Sequence, residues 1–257
     1  QGEAYVARPC LIALTLEGET TAADEMARLV ESVEAPRLFS CFYQDAAAVG
    51  FHCLRRGEWT RARAYLEPRL ATFRERNNVA AALGCAVVLG TLELAEGHRA
   101  HAKELLASSL LTCQKGGDVL LELWILPVLA DLHLEEGQPA RAAECVERGF
   151  HLMTPGRSWY GLPAPLEVAR GALATGAGDW ATAEAAFAAA IEIDRRYRLP
   201  WDEAQALAAW GRMHLARGNA GDRGAGRDKL GQALAIFERV RARRDAERVR
   251  AALAGTA

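Results

Sequence analysis

No Cys-x-x-Cys pair occurs in this chain, although six cysteines stand at positions 10, 41, 53, 85, 113 and 145. That spacing fits neither a zinc framework nor a disulfide framework. The thiols are therefore read as free, buried as small hydrophobes in a reducing cytoplasm. Excess charge of either sign is missing too. Thirty-one Lys and Arg face 33 Asp and Glu, for a net −2, so no global field attracts nucleic acid. No apolar run approaches the ~18 residues of a membrane span. Val119 to Leu132 comes nearest and is broken by Glu122, Pro127 and Asp131. No secretory signal is recognisable. The expectation is a cytoplasmic chain that touches neither membrane nor nucleic acid.

Catalytic spacings are absent as well. There is no Gly-x-Ser-x-Gly and no His-Glu-x-x-His. Gly221 and Gly226 have the separation of a phosphate-binding loop, but Arg227-Asp228 follow where Lys and a hydroxyl are needed. That stretch reads as a flexible turn between helices. His98 and His101 are three apart, yet no third ligand stands nearby in sequence, so solvated histidines are expected. Glu144, Glu147, Asp194 and Glu203 are expected on solvated helix faces. The sequence thus predicts no enzyme, no metal and no cofactor.

What the chain does have is a period. Gly18, Gly57, Gly97, Gly137, Gly178 and Gly218 recur every 39 to 41 residues. Seven positions before the last five stand Gly50, Gly90, Ala130, Gly171 and Gly211. Five positions after the first five stand Ala23, Ala62, Ala102, Ala142 and Ala183. Nine after come Ala27, Leu66, Leu106, Val146 and Phe187. Two helices of a hairpin approach closely only where neither carries a bulky side chain, and a large residue must then fill the space between repeats. The glycine ends the first helix in a conformation other residues adopt at a cost. Three columns held in phase predict stacked helical hairpins.

The pattern resembles the tetratricopeptide repeat, with a small residue in the first helix, a glycine before the turn, and aromatic and alanine positions in the second. The usual repeat is near 34 residues; the longer form is similar to the helical region of MalT-type regulators and related ATPase-linked adenylate cyclases of bacteria. Residues 197–253 carry the resemblance most fully: Pro-Trp-Asp-Glu-Ala at 200–204, Trp-Gly-Arg at 210–212, Ala-Leu-Ala-Ile-Phe at 233–237, and a closing Arg-rich helix. The resemblance implies a right-handed, all-α solenoid of about six hairpins in a single domain, 1–257. The repeats are placed at 1–35, 38–76, 79–115, 118–153, 165–196 and 201–241, with a capping helix at 243–254. In such regulators a DNA-binding domain follows this region. None follows before Ala257, so this chain is not expected to bind DNA itself. A chain that opens on Gln1 is expected to be a segment of a longer protein.

Local signals refine this reading. Leu11 sits where later repeats carry Gly or Ala, as suits an end repeat. Thr20 reads as a helix cap with acids in the first turns, and Ala35-Pro36 as the stop of that helix. Pro127 should kink its helix or delay its start. Residues 154–165, with three prolines, Trp159 and Tyr160, form the longest irregular connection. Pro200 precedes Asp202 to Gln205, read as a cap and its partner. Within Gly218 to Gly226 an insert pushes the next helix about three residues late. His133 and His214, each four before a turn glycine, are read as packing or hairpin-bonding residues. The arginines between 239 and 250 are read as a solvated capping helix.

In tetratricopeptide arrays the concave groove is lined from the first helix of each hairpin. Carried over by phase, the resemblance implies Gln44, Phe51 and Arg55 from the second repeat, Trp124 and Asp131 from the fourth, and Gln205 and Arg212 from the sixth. Two aromatics, a carboxylate and two arginines suit a peptide, a protein partner or a small polar effector. The expected function is a binding or sensor scaffold within a larger bacterial signalling or transcription-regulatory protein. The alternative is a stand-alone adaptor.

Overall fold

A computed structural model describes residues 2–33 and 47–255, with side chains from Ala7 onward. Among the described residues there are thirteen helices and no strand. The fold is an all-α helical repeat. By contact the chain divides into two compact units, 1–117 and 118–257.

The first unit holds α1 (Gly2–Glu17), α2 (Thr20–Val33), α3 (Ala48–Arg56), α4 (Trp59–Glu75), α5 (Val79–Glu96) and α6 (Arg99–Gly116). The second holds α7 (Val119–Glu135), α8 (Pro139–Leu152), α9 (Pro163–Ala177), α10 (Trp180–Tyr197), α11 (Pro200–Arg217), α12 (Asp222–Arg239) and α13 (Arg243–Ala254). Within each unit the first helix of a hairpin packs on the first helix of the next: α1 on α3 on α5, and α7 on α9 on α11. The turn glycines all take positive φ, between 69° and 88°. At Gly178 the reversal is closed by the Gly178 amide donating to Thr175 and the Asp179 amide donating to Ala174.

The two columns fit one another within a hairpin. A Cβ added at Gly171 would lie 2.7 Å from the Phe187 ring, and one at Gly50 would lie 2.5 Å from Leu66. Gly90 stands in the same relation to Leu106, and Gly211 to Leu230. The large residue thus lies over the glycine of its own hairpin, not between repeats as the sequence suggested. In the first hairpin the sizes are exchanged: Leu11 and Ala27 occupy the two positions, and both are buried.

The sixth hairpin keeps this logic after its insert. Gly221 to Gly226 is not a turn, because the helix already begins at Asp222. Asp222 accepts the Asn219 amide at 2.8 Å and is gripped by Arg217, while His214 Nδ1 lies 3.2 Å from its Oδ1. The Arg217 hydrogen bonds hold this carboxyl well below the usual carboxylate range. The helix then starts at Asp222, and Gly226, three places late, takes the role of the alanine column. It faces Gly211 so closely that a Cβ on either would lie 2.9 Å from the other's carbonyl oxygen. Gly224, in the same helix, has open space beside it. The same substitution should therefore act with opposite sign two residues apart. Gly224→Ala is expected to raise stability by about 0.4–1 kcal/mol. Gly226→Ala is expected to lower it by about 1–3 kcal/mol, because backbone must move. Urea unfolding of the two variants measures both.

Other local expectations change. Thr20 is the first residue of α2, not its cap; the Ala23 amide bonds the Glu19 carbonyl, and no acid stands in the first turn. Pro200 opens α11 at its first turn, where its missing N–H costs nothing, and Leu199 precedes it as the cap. Pro127 neither delays nor ends α7, which runs from Val119 to Glu135 with the ring buried. Asp194 is buried rather than solvated, because it shares a helix face with Ala190 and Ile191. The stop at Ala35-Pro36 lies outside the described residues.

The most membrane-like helix is not 119–132 but α5, with a mean hydropathy of 1.7. Here it is a core helix packed between α4 and α6. Five described cysteines are free thiols, three of them buried. Burial pushes Cys53 and Cys85 up to about 12, so neither thiol ionises near neutrality. The connection before α9 is anchored rather than loose. Tyr160 packs on Tyr197 with tilted rings, 5.5 Å between centroids, and Gly161 lies against Leu199.

Candidate functional site

The first helices of the second unit bring charge to one face. Six positions before Gly137, Gly178 and Gly218 stand Asp131 on α7, Ala172 on α9 and Arg212 on α11. Since α9 packs against both α7 and α11, these three are successive rungs of one row. The middle rung carries only a methyl group, so the carboxylate and the guanidinium act on one another across it.

Both charged side chains are exposed to solvent. Yet surrounding protein desolvates both. Burial pushes the Asp131 carboxyl up to about 6, opposed by Arg212 and aided by Glu135. Desolvation lowers Arg212, and the neighbouring Arg248 lowers it further, while Asp131 acts the other way. Opposite charges thus act on one another on a solvent-exposed face, where a polar ligand can reach both.

Beside this row stands Asp245 of α13, which is buried. It accepts from Trp201 Nε1 at 3.0 Å, from Gln205 Nε2 at 3.1 Å and from Arg248. Gln205, expected to face a ligand, is thus spent on anchoring the last helix. Trp201, Asp245 and Arg248 were missed by the sequence reading. The signal was available: Asp245 follows Gln205 by one 40-residue period. The closing helix is thus only partly solvated: Glu247 accepts from Arg244 at 3.2 Å within it, and Arg250 donates to Glu238 of α12 at 2.6 Å.

The remaining expected residues divide. Trp124 is half-buried on α7. Phe51 and Arg55 belong to the first unit, where Phe51 is buried with the Arg55 guanidinium 5.0 Å above its ring. Phe51 is therefore core rather than a ligand contact. Gln44 lies outside the described residues. Of the seven expected residues, Asp131 and Arg212 are the oppositely charged pair that act on one another electrostatically.

The histidines also differ from expectation. His214 packs as anticipated, stacked on Trp210 at 6.1 Å. His98 and His101 are half-exposed, but they are not simply solvated: both lie beside Glu93, at 2.7 and 3.2 Å. Hairpins are also tied to their neighbours by polar contacts six positions after a turn glycine. Asp24 takes His52 and Arg56, Arg63 takes Glu93 and Glu96, and Glu184 takes Arg217.

No protein-family model matches the chain, and no curated protein sequence matches it. Solved structures do share its fold. It is similar to the Rap conjugation gene regulator of plasmid pLS20, solved in complex with the Phr* peptide, at 11% identity and a TM-score of 0.59, over 92% of this chain and 68% of that one. It is also similar to BtubC (BKLC) from P. vanneervenii, at 18% identity and a TM-score of 0.52, over 95% of this chain and 92% of that one. At these identities the likeness establishes the tetratricopeptide-like helical-repeat fold alone.

Proposed function

We propose that the chain is a binding module that holds a peptide, or a peptide-like segment of a partner protein, on the α7–α9–α11 face of its second unit. The observation that carries this reading is the pair Asp131 and Arg212, accessible yet desolvated, set across the small side chain of Ala172. A peptide offers alternating donors and acceptors along an extended backbone, and a row of first helices with one acid and one base suits it. The Rap regulator, solved with the Phr* peptide, supports the reading by fold. The resemblance of 197–253 to MalT-type regions supports placing the module in a bacterial regulatory protein. On this reading it is no enzyme, needs no cofactor and leaves DNA contact to other domains.

The test is selection of random decapeptides displayed on phage against the full chain. Selected peptides are then measured by fluorescence anisotropy. Arg212→Gln and Asp131→Asn are each expected to weaken them by about tenfold or more. Asp131→Asn also has a stability signature. Because the folded carboxyl titrates near 6, above its unfolded value near 3.8, the fold favours the protonated form. Stability from this group is present at low pH and is lost as pH rises through about 6. Asp131→Asn should therefore raise the thermal midpoint at pH 7.5 and leave it unchanged below about pH 3. A site residue that gains stability while losing affinity is the expected trade. Peptides indifferent to both substitutions, or a selection that enriches none, would sink the reading.

A further inference from the structure

We propose that the turn between α5 and α6 is a binding site for a divalent transition metal, zinc by its donor set. Glu93, Glu96, His98 and His101 supply the ligands, and Arg63 is the competing cation.

The donors come from one short run, Glu-Leu-Ala-Glu-Gly-His-Arg-Ala-His at 93–101. Glu93 and Glu96 lie three apart at the end of α5 and so share a face. The left-handed Gly97 reverses the chain, and the start of α6 sets His98 and His101 three apart as well. An oxygen of Glu93, an oxygen of Glu96 and a ring nitrogen of His98 lie within 4.8 Å of one another. His98 Nδ1 is 2.7 Å from Glu93 Oε2 and 3.8 Å from Glu96 Oε2, and His101 Nδ1 is 3.2 Å from Glu93 Oε1. Donors bound tetrahedrally at zinc's usual bond lengths stand about 3.3 Å apart. These three separations lie within about 0.6 Å of that value, and rotation of two half-exposed histidines, His101 above all, is what brings the four donors to one centre. Two imidazoles and two carboxylates are a set that zinc accepts and that magnesium or calcium does not favour.

The arrangement also demands a cation. Glu93 is buried, and a buried carboxylate must be paired. Arg63 on α4 meets the demand: its Nη1 lies 2.5 Å from Glu93, and its Nη2 bonds Glu96. That guanidinium has another partner within reach, because Nη1 also lies 2.9 Å from Glu67 one turn along its own helix. It can withdraw to Glu67 without being stranded. Metal and Arg63 therefore compete for the same two carboxylates. Occupancy by metal exchanges a clasp between α4 and α5 for a staple across the α5–α6 turn. Whatever tightens one loosens the other, by reciprocity of linked equilibria.

The experiment titrates the full chain with Co2+ as a spectroscopic stand-in and then adds Zn2+. The expected result is one set of visible d–d bands without a thiolate-to-metal charge-transfer band, lost on adding one equivalent of Zn2+. Zn2+ affinity follows by competition with a chromophoric chelator. The double variant H98Q/H101Q changes only exposed side chains and should fold normally. It is expected to lose at least the ~10–100-fold that even outer-shell changes cost. Arg63→Gln is expected to bind Zn2+ about tenfold more tightly, because the competing charge is gone. The proposal is overturned if the double-histidine variant binds like the parent, if a thiolate band shows that cysteines hold the metal, or if Arg63→Gln leaves affinity unchanged or weaker.

Discussion

Truncating Phe187 to alanine is expected to cost about 3–5 kcal/mol of folding stability, at the upper end for a buried aromatic. The side chain is 1% exposed. It lies over Gly171, which has no side chain to move into the space, so the cavity cannot collapse from that side. In the same cluster Ala174 and Ala183 are small, and the larger members are Met213 with the partly buried Val168, Trp180 and Trp210. Size can instead be restored from the opposite position. Gly171→Leu alone should be destabilising, since even a Cβ there would press on the Phe187 ring at 2.7 Å. Combined with Phe187→Ala it should recover part of the loss. The first hairpin already uses that arrangement, with Leu11 and Ala27 both buried at the corresponding positions. A double-mutant cycle by urea unfolding reads the coupling. If the two changes add, the columns are not paired and the account of the period fails.

That pairing explains why so much of the fold was legible. The glycine, small and large columns lie within one hairpin, so each constraint spans sixteen positions or about that, and each recurs. Helix ends followed from the same signals, apart from the first turns of α2 and α11, where a neighbouring residue took the cap, and the start of α12, which lies within the stretch read as a turn. Contacts between hairpins were harder to read. Arg63 meets Glu93 thirty positions away, and nothing in a glycine period says which sign of charge stands there or what it faces. Phase put Phe51 and Asp131 in the same row, each six before its turn glycine. It could not say that one would be buried and the other exposed. A phase fixes a helix face; burial depends on the side chains that neighbouring helices bring to it. Phe51 has an arginine lying over it, whereas Asp131 looks across an alanine.

Replacing Asp245 by alanine is expected to cost about 2–4 kcal/mol, although α13 is the last helix and most of its residues are charged. Exposed pairs such as Arg244 with Glu247 contribute little, because water screens both partners. Asp245 differs in being 6% exposed and in accepting from three donors on two helices. Arg248 is more than half exposed, so its share is discounted, and it can be rehydrated. The Trp201 and Gln205 bonds are the dominant loss, since both are part-buried and both fasten α13 to α11. Asp245→Asn keeps one acceptor oxygen and is expected to cost only about 1 kcal/mol. Urea unfolding separates the two variants, and equal losses would mean that the carboxylate is not the fastener. The consequence reaches the binding face. Arg248 is held by Asp245 and acts on Arg212, so peptide affinity should shift in Asp245→Ala even under conditions where the variant is fully folded. A terminal helix that merely covered an apolar end would change stability and leave affinity alone; one that positions Arg248 must change both.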